Sequence, residues 1–496
     1  MGQDVQRRTP TGADRRRFRE LLHVELEVLR GELEAGRLAG AQACAGIEVE
    51  LHLVDGAQQP AMVNDAVLQH LADARFQTEL GAFNIELNGA PHPVGEDGLP
   101  QLQADLAAAL AAARGAATRV GAQVVSIGTL PTALPEHFRG PWRSADPRYA
   151  ALDEAIATAR GEDVELRMES PTGPERLAVH LPTIGPEAVG TSVQLHQQVA
   201  PEEFARRWNA AQAVAGPQVA LAANSPFLFG RRLWAETRIE LFTQSTDTRC
   251  AELRNQGVRP RVFFGERWID GPLDLFEEDV RFFPSLLPVV GEEDPLAAVR
   301  AGRAPLLGEL RLHTGTVYRW NRAVYDVADG TAHLRVENRV LPAGPTPLDV
   351  VADAAFFHGL VRALAQAPDP VEERMPFEAA HRTFQRCARL GLAASAQWPG
   401  VGEVPVDRLV LDVLLPLADE GLGRWGVPRQ VRDHYLEVVA GRARTGRNGA
   451  TWQVAAVRDL EAAGLDRRAA LARMLAEYLH RQQEGEPVHR WGGVGT

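Results

Sequence analysis

Phe18, Leu21, Leu22, Leu26, Leu29 and Leu33 recur at three- and four-residue steps, so an amphipathic helix is predicted over 14–34. Gly36 and Gly40 close it, and the period then changes. Ile47, Val49, Leu51 and Leu53 alternate with Glu48, Glu50, His52 and Val54, which is the rhythm of a strand. Residues 83–88 alternate in the same way. Further along, the pattern predicts an alanine-rich helix over 101–118 and a short strand over 123–127 that ends at Gly128. A helix and a polar loop follow Ala150, then a strand over 192–199, a helix over 202–215, a break at Asn224-Ser225-Pro226 and a strand over 333–340.

Pro342, Gly344, Pro345 and Pro347 mark a boundary. Beyond it the periodicity is helical, with elements near 348–366, 373–391, 406–420, 428–441, 452–463 and 466–482. Strands interleaved with helices and then helices alone indicate an α+β catalytic part with a helical appendage. The expected units are an N-terminal helix (1–40), a catalytic domain (41–347), a helical C-terminal part packed on it (348–482) and a polar, mobile tail (483–496). No internal repeat or low-complexity segment interrupts them.

The formal net charge of −12 disfavours nucleic acid and anionic membrane as partners, since both need a basic face. All 53 basic residues are arginine. Without lysine there is no P-loop, no kinase strand lysine and no Schiff base to pyridoxal phosphate, so any phosphate chemistry falls to arginine and metal. Cys44, Cys250 and Cys387 are few and far apart, offering neither a disulfide framework nor a zinc knuckle. A reducing cytoplasm is the expected location. No apolar run reaches the length of a membrane span, and the arginine-rich N-terminus lacks the core of a signal peptide.

The chemistry concentrates on four strands. Glu48, Glu50 and His52 share one face of the first, and same-face side chains on a strand lie about 6.6–7 Å apart, a spacing at which carboxylates bracket hard divalent cations. Read alone, that strand is better explained as a solvated edge with its polar residues outward. Glu79 precedes a second strand on which Asn84, Glu86 and Asn88 align, although asparagine is disfavoured in strands. Ser192, Gln194 and His196 align on a third, and Arg335, Glu337 and Arg339 on a fourth. Carboxylates this numerous on one sheet face repel each other unless cations neutralise them, which points to a multi-metal site with arginines for phosphate and carboxylate groups.

The order Gly-x-Glu-x-Glu, Glu-x6-Glu, Gln-x-His, Asn-Ser-Pro and Glu-x-Arg, running from Gly46 towards Pro347, resembles the glutamate–cysteine ligases and related bacterial carboxylate–amine ligases. The resemblance implies a glutamine-synthetase-like catalytic fold, a curved and mainly antiparallel sheet forming an active-site funnel flanked by helices. It also implies ATP and Mg2+ (or Mn2+) as cofactors, small-molecule substrates (glutamate and an amine such as cysteine) and a place in glutathione biosynthesis. Oligomerisation is compatible with it. Carried over residue by residue, Glu48, Glu50, Glu79, Glu86, His196 and Glu337 become the metal ligands, with Glu86 near the acceptor amine. Arg339 faces the transferred phosphoryl group and Arg238 binds a carboxylate. Arg335, Arg339, Gly128 and Thr129 are the cofactor-binding candidates. Gly128-Thr129 stands where relatives carry Gly-Thr-His-Pro, and here Leu130 replaces the histidine. The stretch 445–453 is either a nucleotide-closing loop or an inter-helix connection.

The implied reaction phosphorylates a γ-carboxylate and lets an amine displace the phosphate. ATP-grasp ligases catalyse similar chemistry but rely on lysine, which this chain lacks. Three alternatives stay open: another amine acceptor, a metal-dependent hydrolase or phosphotransferase using the same carboxylates with His52, and a non-catalytic binding protein.

Overall fold

The computed structural model describes residues 11–40 and 44–494. The first ten residues of the expected N-terminal unit and the last two of the tail lie outside it. Ile47, Val49, Leu51 and Leu53 are buried along an eleven-residue strand, Cys44–Val54 (β1), whose alternation seats one row of side chains in the core. β1 is central to an eight-stranded sheet. The other strands are Phe76–Thr78 (β2), Asn84–Asn88 (β3), His92–Pro93 (β4), Gln123–Val125 (β5), Val193–Val199 (β6), Asn321–Ala328 (β7) and Thr331–Asn338 (β8). Their order is β7-β8-β6-β1-β3-β2, with β4 and β5 pairing to the two ends of β1. Every pairing is antiparallel, and the sheet curls into an antiparallel half-barrel.

The expected α+β architecture is therefore present, and register fixes what each face carries. Opposed residues share a face, so Arg322↔Glu337↔His196↔Gly46, Gln194↔Glu48↔Asn88 and Gln77↔Glu86↔Glu50 lie together on one side. The opposite side bears Val49, Ile85, Leu195 and Val336. Behind it runs the helix Phe204–Ala222, buried along nearly its whole length. Trp208 Nε1 of that helix donates to Asn321 O at 2.9 Å. This helix extends seven residues beyond the predicted 215 and accommodates Pro217 in its interior. A solvated helix would break there, but this one is held by packing on all sides.

β7 was not predicted. It joins β8 through Asp329-Gly330, both at positive φ (50° and 75°), the geometry of a tight hairpin turn.

The C-terminal helices pack onto the same core. Pro347–Ala365 is the hub, buried at fifteen of its nineteen positions. It crosses Leu415–Arg424 so closely that a Cβ on Gly421 would sit 1.8 Å from Gly359 O. Arg442, itself buried, pairs with Asp353 at 2.6 Å and Asp349 at 3.0 Å. Two details depart from the predicted helices. A hairpin, Ser395–Trp398 with Gly402–Pro405, intervenes, and the helix predicted over 406–420 contains a π turn at Val410–Leu414, just ahead of Pro416, which has no N–H to donate.

The expectation of a mobile tail is corrected over its described part. Val488 N donates to Asp349 Oδ2 at 3.1 Å. Trp491 is 1% exposed and packs edge-on against Trp452 and Tyr478. Two buried apolar side chains in a polar segment suffice to anchor it.

Candidate active site

The polar face of the sheet resolves into two trios of metal-ligating groups. Glu48, His196 and Glu337 present ligand atoms within 4.8 Å of one another, and so do Glu50, Glu79 and Glu86. All six expected ligands are thus brought together, divided between two adjacent clusters.

In the first cluster, His196 Nε2 lies 3.1 Å from Glu48 Oε1, but neither ring nitrogen of this buried histidine makes a hydrogen bond. Burial works against charge on Glu48, yet the imidazole outweighs it and holds the carboxyl at about 2. Glu337 is fully buried between two arginines. Arg322 grips its Oε2 with Nε at 2.7 Å and Nη2 at 2.6 Å, and Arg339 Nη1 donates to Oε1 at 2.5 Å. Against the burial cost, those two cations keep Glu337 well below the usual carboxylate range. A carboxylate offers about four lone-pair directions, so the arginines leave room for a further ligand bond.

The second cluster behaves oppositely. Burial pushes Glu79 up to about 7, reinforced by Glu50. Burial and then the neighbouring Glu79, Glu48 and Glu50 raise Glu86 far above its ordinary value. Glu50 is also raised by burial, against the pull of Arg339, while Ser192 N and Gln194 Nε2 donate to it at 2.7 and 2.8 Å. Gln77 Nε2 donates to Glu86 Oε2. Carboxylates so crowded and so short of partners fit divalent cations as counter-charges, and the orphaned His196 nitrogens fit the role of a ligand.

Beside these clusters a cleft is lined by Glu50, Glu187, Ser192, Arg238, Trp320 and Arg339. Arg238, at the start of Thr237–Ser245, is fixed from behind. Its Nε donates to Glu236 Oε1 at 3.1 Å and its Nη2 to Val340 O at 2.6 Å, with the guanidinium 5.7 Å from the Trp320 ring centroid. Arg339 reaches Gln194 Oε1 at 2.5 Å.

Four expectations are not met. Arg335 turns to Asp326 Oδ2 and His333 Nε2, each at 3.2 Å, and does not line the cleft. Thr129 is fully buried, with its hydroxyl donating to Phe227 O at 2.9 Å. The space at Gly128 is closed by Pro342 and Ser225, so both residues pack the core and neither contacts the cavity. Leu130 is also a core residue. His52, expected on the acidic face, is sealed at the end of β1, stacked on Phe83 and held by Asn84 and Thr191. Burial pushes it down to about 3, so it is a neutral core histidine.

The stretch 445–453 docks on the Asn-Ser-Pro turn. Asn448 caps the helix Gly449–Ala462, and Gln453 Nε2 donates to Asn224 O at 3.0 Å. Sequence reasoning missed Arg322 and Glu187. The Asp-Gly turn after β7 would have revealed the first; Glu187 sits in a short 3-10 turn with no periodicity to betray it.

The polar face of the curled antiparallel sheet thus gathers carboxylates, one histidine and arginines. The model of glutamate–cysteine ligase family 2 matches residues 44–484, and the chain belongs to that family. It is a carboxylate–amine ligase, an enzyme that forms an amide bond. A crystal structure of glutamate–cysteine ligase from Francisella tularensis in complex with AMP has a similar fold, with a TM-score of 0.53 at 11% identity over 92% of this chain and 97% of that one. A bifunctional glutathione synthetase from Pasteurella multocida gives 0.49 at 11% identity over 94% of this chain and 55% of that one. No curated protein matches the sequence. Among the described residues no helix is long and apolar enough to cross a membrane.

Proposed function

We propose that the enzyme uses ATP and magnesium to activate the γ-carboxylate of glutamate and joins it to the amine of a second small molecule, with cysteine the first acceptor to test. The observation that carries this reading is the pair of three-ligand clusters beside a cleft lined by two arginines. Glu48, His196 and Glu337 would hold one cation and Glu50, Glu79 and Glu86 another. Divalent cations in such a site neutralise phosphate charge during transfer.

The chain's own groups supply the rest. Arg339, backed by Glu337 and Gln194, presents a planar fork to the phosphoryl oxygens as their charge redistributes. Arg238, clamped by Glu236 and the Val340 carbonyl, orients a substrate carboxylate. Glu86, raised by burial and by its acidic neighbours, would be a ligand of the second cation on the side where the acceptor amine approaches.

The hydrolase alternative loses its second histidine, because His52 is sealed in the core. ADP release measured with glutamate, magnesium and a panel of amines tests the reading. It is supported by amine-dependent ADP release and refuted by turnover that needs no nucleotide.

A further inference from the structure

The cleft holds one charged group that the chain leaves without a partner. Glu187 lies on the turn Gly185–Val189, and its carboxylate makes no hydrogen bond or ion pair with any described residue, although it lines the same cavity as Arg238 and Arg339. The turn that aims it is rigid. Pro186 restricts the backbone, Gly185 is packed against Phe138 and Trp142, Ile184 N is bound by Asp153 Oδ1 at 3.0 Å, and Val189 O accepts Leu130 N at 3.1 Å. At the end of the turn, a Cβ on Gly190 would lie 3.1 Å from Arg238 Cγ, so the glycine lets the arginine stem lie against the turn.

A half-buried carboxylate with no partner in the chain is a ready acceptor for a cation. Burial, then Glu79 and Glu50, push Glu187 up to about 8, against the pull of Arg339 and Arg238. Neither nearby arginine bonds it: Arg238 gives Nε to Glu236 and Nη2 to Val340 O, Arg339 gives Nη1 to Glu337 and Gln194, and each keeps a further nitrogen for the cleft. Glu187 belongs to neither three-ligand cluster, so a third metal is not its natural complement. The remaining complement is a cation carried by the substrate.

We infer that Glu187 is the specificity residue that binds the α-ammonium of the carboxylate-donating amino acid, while Arg238 holds its α-carboxylate and Arg339 faces its distal carboxylate. Two guanidinium groups and one carboxylate lining a single cleft match in charge the two carboxylates and one ammonium of an α-amino dicarboxylate. Leu241, Phe242 and Trp320 supply apolar walls for the methylene stem. This assignment rests on the ligase reading above and adds to it a means of rejecting dicarboxylates that lack the amine. Such discrimination is large when a site's charged group would be left unpaired by the wrong ligand.

The test compares L-glutamate with glutarate, its analogue without the amine. Binding is measured by calorimetry in the presence of magnesium and a non-hydrolysable ATP analogue, and turnover by ADP release with cysteine. The wild-type enzyme should favour glutamate by at least about a hundredfold. Glu187→Gln should bring the two ligands to within about tenfold, mainly through glutamate's Kd and KM, with the KM for ATP unchanged. Glu187→Asp, which keeps the charge, should retain part of the preference and guards against a folding artefact. Undiminished preference in Glu187→Gln, or no preference in the wild-type protein, overturns the inference. Discrimination in binding without any amide product would overturn the ligase reading alone. Amide formation with discrimination untouched in Glu187→Gln would overturn only the role given to Glu187.

Discussion

His196 Nε2 lies 3.1 Å from Glu48 Oε1 across two neighbouring strands, and neither nitrogen of its buried ring has a hydrogen-bond partner. A buried imidazole left so open is expensive, and a cation shared with Glu48 and Glu337 satisfies it. The Glu48→Gln and His196→Gln variants should therefore lose at least about a hundredfold in kcat/KM, as expected when transition-state stabilisation falls by about 3 kcal/mol. Without magnesium each variant should lose the modest contribution of the Glu48–His196 pair, and the stabilisation produced by adding magnesium should shrink. Full activity in either variant would remove the metal assignment at that cluster.

Glu337→Gln should behave differently. This buried carboxylate is locked between Arg322 and Arg339, and neutralising it takes their shared counter-charge from two half-buried cations. Breaking a buried pair of this kind costs about 3–5 kcal/mol. Activity should be lost, and stability measured by denaturant titration should fall further than in Glu48→Gln even in the absence of magnesium.

Arg339→Lys should be nearly as damaging as Arg339→Ala. In place, the guanidinium serves Glu337 and Gln194 through one nitrogen and keeps others for the cleft, whereas an ammonium on a flexible stem cannot reproduce that planar fork. Steady-state kinetics decide the matter. Retention of most activity in the lysine variant would mean that the position supplies charge alone.

Away from the cleft, Glu25 of the helix Gly12–Glu34 is buried against Glu309 and accepts Leu310 N at 2.7 Å. Burial, then Glu309, push it up to about 9. A folded-state value above the unfolded one favours the fold at low pH, and that contribution is lost as pH climbs from about 4.5 towards 9. Glu25→Gln mimics the neutral acid, so its thermal midpoint relative to the parent should rise steadily between pH 5 and pH 9. A difference that does not vary with pH would contradict the buried proton.

Trp491→Ala should destabilise the protein by about 3–5 kcal/mol in denaturant titration, the usual cost of emptying a buried aromatic site. The ring is wedged between Trp452 and Tyr478, and its Nε1 donates to Glu486 O at 2.7 Å. Unchanged stability would mean that the C-terminal segment is detachable after all.

The sequence revealed the sheet where alternation was unambiguous. In β1, Ile47, Val49 and Leu51 leave no doubt which positions face inward, and Glu48 and Glu50 follow onto the other face. Where packing overrides local preference the pattern misleads. Pro217 reads as a stop but lies inside a helix held on every side, and Pro416 reads as helix interior but follows a π turn. Polar composition concealed the anchoring of Val488 and Trp491. Gly128 and Thr129 were expected at the cavity on motif position alone, and only the fold reveals that Pro342 and Phe227 close over them. Arg335 shares a strand face with Glu337, but Asp326 and His333 on the neighbouring hairpin positions claim it. Glu187 lies in a turn, where spacing carries no information about which strands it will meet.

These residues should join a carboxylate to an amine at the expense of ATP. Mass spectrometry of a reaction containing the purified enzyme, ATP, magnesium, glutamate and a mixture of amino acids tests it most directly. One new γ-glutamyl amide should form, in equal amount with ADP, and be absent when ATP or magnesium is omitted. ADP release with no amide, or product formed without nucleotide, would contradict it.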